Sequence, residues 1–100
     1  MSNRVVWSER AKKDLIAIKS FYDSRNQSTQ YSTKLLKTFK DSAKFIEKYP
    51  NASIQTDIKN IRGFIIHHYI IYFQIIESNI LILTVWDCRR DPSQLKEWLK

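Results

Sequence analysis

The chain reads IRGFIIHHYIIYFQIIESNILILTVWDCRRDP from residue 61 to residue 92, and this stretch decides the fold. Residues 69–76 and 80–86 are apolar segments rich in β-branched and aromatic side chains, which is typical of strands. Residues 77–79 lie between them and predict the tip of a hairpin. Both alternate sets of side chains in the second segment are apolar, which predicts an interior strand. The polar residues 87–92 then lie at the rim of this sheet.

The segment upstream of residue 69 allows two interpretations. Residues 64–68 either form a strand of their own or continue into residues 69–76 as one bent ribbon. In a regular strand, His67 and His68 point to opposite faces of the sheet, so at most one of them faces a given groove. Further upstream, the pattern does not distinguish strand from loop around Ile54, Ile58 and Ile61.

A short strand and two amphipathic helices precede the sheet segment. Residues 5–7 are β-prone, and Ser8 follows as a helix cap. Residues 25–29 separate the two helices, and Pro50 ends the second. Apolar side chains recur at helical spacing in two series, which are Ala11, Leu15, Ile18 and Tyr22, and then Tyr31, Leu35, Phe39 and Ile46. The face of the first helix opposite its apolar series is assigned to Lys12, Lys13 and Asp14.

A short helix is predicted after the sheet. Asp91 is placed to cap it, and Pro92 suits its first position. Its apolar face is formed by Leu95, Trp98 and Leu99. The order β-α-α-β-β-β with a short C-terminal helix predicts a single α+β domain over residues 1–100. In this domain a helical hairpin packs on a mainly antiparallel sheet of about four strands.

Composition restricts the compartment and the partners. A chain of 100 residues with 43% hydrophobic content has room for one core. No apolar run approaches the roughly 20 residues that span a bilayer, and the first residues lack the apolar segment of a signal peptide, so we expect a cytoplasmic protein. A single cysteine, Cys88, excludes an internal disulfide. The formal charge of +7 favours an anionic partner, whether nucleic acid, acidic protein or membrane headgroups.

Two groups of basic residues are candidates for binding that partner. Arg89 and Arg90 follow the last predicted strand and are placed to bind a phosphate or a carboxylate at the rim of the sheet. Alternatively, one of them pairs with Asp87 or Asp91 and fixes the end of the strand. On the second helix, a cationic stripe, which is either a solvated face or an anion-binding surface, is formed by Lys37, Lys40, Lys44 and Lys48.

The order of motifs along the chain resembles that of a known family. The motifs are Val6-Trp7-Ser8 before the first helix, Phe21-Tyr22-Asp23-Ser24-Arg25 at its end, Tyr49-Pro50 at the end of the second, Arg62 before the sheet, Tyr69-Ile70-Ile71-Tyr72-Phe73 within it and Arg89-Arg90-Asp91-Pro92 after it. Together they resemble the RelE/ParE family of bacterial toxins over almost the whole chain. The resemblance implies a toxin of a type II toxin-antitoxin system, neutralised in the cytoplasm by a cognate antitoxin, without a membrane partner. The sequence indicates no metal or organic cofactor.

This family divides into two mechanisms. RelE-like members cleave messenger RNA on the ribosome, a reaction in which the 2′-hydroxyl attacks the adjacent phosphate and protein groups move protons and stabilise charge. ParE-like members inhibit DNA gyrase and need a binding surface instead. In a nuclease, the catalytic candidates are Arg62, His68, Tyr69, Arg89 and Arg90. The candidates for binding a target or a phosphate in either mechanism are Lys59, Arg62, Arg89 and Arg90.

Two departures from the nuclease pattern favour the second mechanism. Tyr69 stands where RelE-like sequences place an arginine in the middle of the sheet, and Asp91-Pro92 replaces the tyrosine or histidine expected after the terminal arginine. We therefore predict a ParE-like growth inhibitor that acts on gyrase. A RelE-like endoribonuclease is one alternative, so enzymatic activity stays open. A nucleic-acid-binding module without toxicity is the other, although the sequence contains none of the recognised signatures of such modules.

Overall fold

The computed structural model describes residues 4–90 and Ser93, and these form two helices and five strands. The elements in chain order are β1 Arg4–Trp7, α1 Glu9–Asn26, α2 Gln30–Lys48, β2 Ile54–Gln55, β3 Ile61–Ile66, β4 Tyr69–Ile76 and β5 Asn79–Asp87. The predicted C-terminal helix, which begins at Asp91, lies outside the described residues apart from Ser93. Neither α1 nor α2 is long and apolar enough to cross a membrane.

All five strands belong to one sheet, in the order β1-β5-β4-β3-β2. β4 pairs antiparallel with β3 and with β5, and β2 pairs antiparallel with β3. β1 pairs parallel with β5, so β5 lies between two neighbours, as its apolar faces predict. The predicted class, a helical hairpin on a mainly antiparallel sheet, is confirmed. The strand beyond the expected four is β2, which lies in the segment that the sequence pattern does not assign. It pairs with Gly63 and Arg62 of β3.

Ser8 fixes the start of α1 to the sheet. Its hydroxyl oxygen accepts a hydrogen bond from the Ala11 amide at 3.0 Å, which is the predicted cap. The same hydroxyl donates to the Leu83 carbonyl at 2.9 Å. The Ser8 amide also donates to the Ile82 carbonyl at 2.9 Å. The first turn of α1 is therefore held directly against β5.

His67 and His68 form the two-residue turn between β3 and β4. Ile66 pairs with Tyr69, so the strands end on either side of the histidines. His67 has φ 53°, in the left-handed region that tight hairpin turns require. The structure therefore has two separate strands, as in the first interpretation, but the first of them is Ile61–Ile66 and not residues 64–68. The two histidines lie in a turn, however, so the opposite-face argument for a regular strand does not apply to them.

The core lies between the helical hairpin and one face of the sheet. The buried row of α2 consists of Ser32, Leu35, Phe39, Ala43 and Ile46. The sheet contributes alternate residues of β4 and β5, which are Tyr69, Ile71, Phe73, Ile80, Ile82 and Val85. A smaller cluster joins Ile61 and Trp86 with Ile58, Tyr72 and Leu83. Because α2 buries only one row, its opposite face is left to solvent.

Candidate functional site

Strand β5 continues past the end of β1. The pairing of the two strands ends at Trp7 and Ile82, whereas β5 runs on to Asp87. The register of β5 against β4 shifts just after Ile82, which marks a β-bulge. Bulges redirect a strand and its side chains. The last residues of β5 consequently lie beside α1 and have no β1 residue next to them.

Asp14 of α1 satisfies the backbone of β5 at this point. Its Oδ2 accepts a hydrogen bond from the Thr84 hydroxyl at 2.5 Å and another from the Val85 amide at 3.1 Å. Thr84 is fully buried, and Asp14 is also paired with Arg10 at 3.4 Å. The assignment of Asp14 to the outer face of α1 is therefore wrong. Its carboxylate takes the place of the strand neighbour that β5 lacks there.

A cleft of about 330 Å³ opens between α1 and the end of β5. We call it the α1–β5 cleft. Helix α1 lines it with Ala17, Ile18 and Phe21, and the sheet side contributes Tyr69, Asp87, Arg89 and Arg90. Phe21 is 51% exposed, so an aromatic surface is available within reach of the two arginines. The cleft thus combines an apolar wall with a cationic rim.

Arg89 is held by a forked ion pair with Asp87. Its Nε lies 3.1 Å from Oδ1 and its Nη2 lies 2.8 Å from Oδ2 of the same carboxylate. The hydrogen bonds from Arg89 lower the pKa of Asp87, and the same side-chain hydrogen bond raises the pKa of Arg89. The Arg89 side chain is still 58% exposed. The guanidinium is therefore oriented by its neighbour while part of it faces solvent.

Arg90 stacks on an aromatic ring. Its Cζ lies 4.6 Å from the centre of the Trp86 ring, a distance at which a guanidinium and an indole attract each other. Trp86 itself is only 3% exposed. A rigid, buried ring fixes the position of the arginine above it. Both predicted rim arginines therefore border the α1–β5 cleft, each aligned by a different neighbour.

Tyr69 lies at the bottom of the cleft and is only 2% exposed. Its hydroxyl donates to the Tyr22 hydroxyl at 3.4 Å, and its ring packs edge-on against Phe39 at 5.3 Å. Burial raises the pKa of Tyr69, which disfavours the phenolate. His68 stacks on Tyr69 at 4.4 Å, and the buried Nε2 of His68 has no hydrogen-bond partner among the described residues.

Arg62 and Lys59 lie elsewhere. The Arg62 Nε donates to the Ser53 hydroxyl at 2.6 Å, and its Nη2 donates to the carbonyls of Ser53 at 2.6 Å and Asn51 at 3.2 Å. Lys59 and Arg62 border a different pocket of about 420 Å³. Strand β3 ends at Ile66, where the hairpin turn begins. Arg62 lies four residues before this end, which is roughly 13 Å of strand. The predicted residues therefore fall into two groups.

The sequence interpretation missed the contribution of α1 to the cleft. Asp14 and Phe21 line it, and Tyr22 bonds to the hydroxyl of Tyr69 at its base. A carboxylate within an amphipathic helix carries no signal of its own, because its partner Thr84 is 70 residues away in sequence. Phe21 beside Tyr22 is a weak signal, since two adjacent aromatic residues on a helix cannot both face the core.

These observations define a class of protein. It is a small basic α+β domain with a helical hairpin on a sheet, in which the last strand ends at an apolar cleft bordered by two oriented arginines. Such a cleft is suited to an anionic partner with apolar side chains.

Comparison with known proteins identifies the family. A family model described as "ParE toxin of type II toxin-antitoxin system, parDE" matches residues 5–92. The chain therefore belongs to the ParE toxin family of type II toxin-antitoxin systems, which confirms the resemblance found in the sequence. A solved structure titled "Chromosomal ParDE TA system from P. aeruginosa" is similar in fold, with a TM-score of 0.72 at 17% identity over 84% of this chain and 94% of the other. No curated protein sequence matches the chain.

Proposed function

We propose that the chain inhibits bacterial growth by acting on DNA gyrase in the cytoplasm, and that a cognate antitoxin neutralises it. Its membership of the ParE toxin family supports this mechanism over cleavage of messenger RNA. The proposed target surface is the α1–β5 cleft with Arg89 and Arg90 at its rim. Lys59 and Arg62 are proposed as a separate contact, because they border the other pocket.

The observation that carries the choice of mechanism is that Arg62 lies apart from Tyr69, Arg89 and Arg90, which line the cleft. Cleavage of RNA requires proton-transfer groups and cations within reach of one phosphate. Here Arg62 is bound to the carbonyls of Asn51 and Ser53, away from the cleft that holds Tyr69. Tyr69 is buried with a raised pKa. A surface that binds a protein requires only that Arg89 and Phe21 be accessible, and both are.

The same cleft is our candidate for contact with the antitoxin. An acidic segment with apolar side chains fits it, because the segment's carboxylates can approach Arg89 and Arg90 while its apolar side chains cover Phe21. The structure of similar fold from P. aeruginosa belongs to a ParDE TA system, which supports an antitoxin as the partner. The reading frame adjacent to that of the toxin is where we expect the antitoxin to be encoded.

Two assays on the purified toxin test the target. In a supercoiling assay with gyrase we expect inhibition, and in a reconstituted translation system we expect intact messenger RNA. The pair Arg89→Ala and Arg90→Ala is compared with Lys12→Ala and Lys13→Ala, which removes the same charge from α1. Only the first pair should restore supercoiling. Ribosome-dependent cleavage of messenger RNA with unaffected gyrase refutes the proposal in favour of the endoribonuclease. Inactivity in both assays refutes it in favour of a non-toxic binding module.

A further inference from the structure

Helix α2 has a second cationic surface that the α1–β5 cleft does not include. Its solvent face carries five exposed lysines, which we call the lysine face, and these are Lys34, Lys37, Lys40, Lys44 and Lys48. At about 100° per residue, they occupy an arc of about 120°, opposite the buried row of the helix. No residue of α2 lines the cleft. The two surfaces can therefore be occupied at the same time.

The lysine face is only partly neutralised. Asp41 lies on the same arc and pairs with Lys37 at 3.1 Å. Within residues 4–90 and Ser93, the other four lysines of the face make no ion pair. From Lys34 to Lys48 the face extends over roughly 21 Å of helix. Within the described part of the chain, four ammonium groups outside ion pairs therefore stand in a row on a rigid support, since the opposite side of α2 is packed in the core.

We propose that the lysine face binds the phosphate backbone of duplex DNA without sequence preference. Lysine is depleted at the centre of interfaces between proteins, whereas it is a main source of contacts to phosphate. Between Lys34 and Lys48 the helix carries no arginine, asparagine or glutamine, which are the side chains that read base edges most often. It is therefore suited to backbone contact and lacks the means for sequence recognition.

B-form DNA fits this face better than duplex RNA does. The major groove of B-DNA is about 12 Å wide, which is also the diameter of an α-helix with its side chains. Lysines spread over an arc of about 120° on such a helix reach the phosphates on both sides of the groove. The corresponding groove of A-form RNA is too deep and narrow to admit a helix. The proposal goes beyond action on gyrase, because it requires only the toxin and DNA.

The number of lysines predicts how strongly the affinity for DNA depends on salt concentration. Four lysines that neutralise four phosphates give a slope of about −3.6 for the logarithm of affinity against the logarithm of salt concentration. Affinity should then fall roughly 150-fold between 50 and 200 mM salt. Replacing two of the four lysines should reduce the slope by about 1.8. If the wild type and this double variant bind with equal affinity near 1 M salt, the affinity of the variant at 0.1 M salt is lower than that of the wild type on the order of 60-fold.

The experiment measures fluorescence anisotropy of a labelled 20-base-pair DNA of mixed sequence, with the toxin titrated at several salt concentrations and without gyrase. The test variant is Lys40→Gln with Lys44→Gln, and the charge-matched control is Lys12→Gln with Lys13→Gln on α1. Circular dichroism checks that both fold. We expect the slope to fall by about 1.8 for the test variant and by less than half of that for the control. Identical slopes for the two variants overturn the proposal, because binding is then due to net charge alone.

Two further ligands distinguish DNA from other anions. A duplex RNA of the same length and poly-glutamate of matched charge are titrated under the same conditions. Tighter binding of either one than of DNA overturns the assignment, in favour of an RNA surface or of an acidic protein partner. Absence of salt-dependent binding to any of the three leaves the lysine face as a solvated surface and also overturns the proposal. None of these outcomes depends on whether gyrase is inhibited.

Discussion

The contact between Asp14 and β5 predicts a large loss of stability when the carboxylate is removed. Replacement of Asp14 by alanine leaves the Thr84 hydroxyl and the Val85 amide without their acceptor. Thr84 is fully buried and Val85 is 3% exposed, so water does not readily replace the lost acceptor. Each unsatisfied buried donor costs about 1–3 kcal/mol. We expect Asp14→Ala to lower the free energy of unfolding by about 3 kcal/mol, which corresponds to a decrease of about 15 °C in melting temperature.

Urea denaturation, followed by circular dichroism, measures this loss. The control is Asp41→Ala, which removes an exposed helix ion pair with Lys37 and should cost only about 0.3–0.5 kcal/mol. A double-mutant cycle with Thr84→Val isolates the interaction between Asp14 and Thr84, because valine removes the hydroxyl that Asp14→Ala leaves without an acceptor. Asp14→Ala in the Thr84→Val background should be less costly than in the wild type by about 1–2 kcal/mol. A cost below 1 kcal/mol, or full additivity in the cycle, refutes the role assigned to Asp14.

Three further predictions concern the cleft. The double change Arg89→Ala and Arg90→Ala should abolish growth inhibition while the far-UV circular dichroism stays native; an unfolded variant indicates that the arginines are mainly structural. Asp87→Asn should remove a pH-dependent contribution to the free energy of unfolding. Because the folded pKa of Asp87 is depressed, this contribution is present above the unfolded pKa of 3.8 and is lost as the pH falls through the lower folded pKa. Urea titrations across this pH range measure the loss. Tyr69→Phe should cost less than about 1 kcal/mol, because the bond to Tyr22 is long, and should leave toxicity intact; lost toxicity in a folded variant assigns a chemical role to the phenol.

The ion pair of Arg89 unites the two interpretations that the sequence allows for the arginines. The pairing with Asp87 is formed, so Arg89 does help to fix the end of β5. Its guanidinium nevertheless stays more than half exposed at the rim of the cleft. A carboxylate or phosphate of a partner would meet an arginine whose orientation is already set, so less rotamer entropy is lost on binding. Local pairing and partner binding are therefore compatible.

The fold was predictable because its signals are local. Apolar runs rich in β-branched and aromatic residues define β4 and β5, and the cap at Ser8 together with the apolar spacing after it defines α1. The strand β2 was not predictable, because two residues carry no periodicity and Ile54–Gln55 is a strand only through its pairing with β3. The histidine turn was equally hidden, since an apolar run on both sides of His67 gives no turn signal and its positive φ is an uncommon choice for a residue with a side chain.

By itself, the sequence determined the order of the two helices and of every strand except β2, the interior place of β5, the positive charge and the rim position of Arg89 and Arg90. Only the tertiary structure decided which charged groups come together. In the structure Arg62 lies apart from Arg89, and Phe21 lines the wall of the cleft. Asp14 accepts a hydrogen bond from Thr84, which is 70 residues away in sequence. The physical reason is that periodicity and capping act over a few residues, whereas the register of strands and the packing of a helix on a sheet depend on contacts between distant segments.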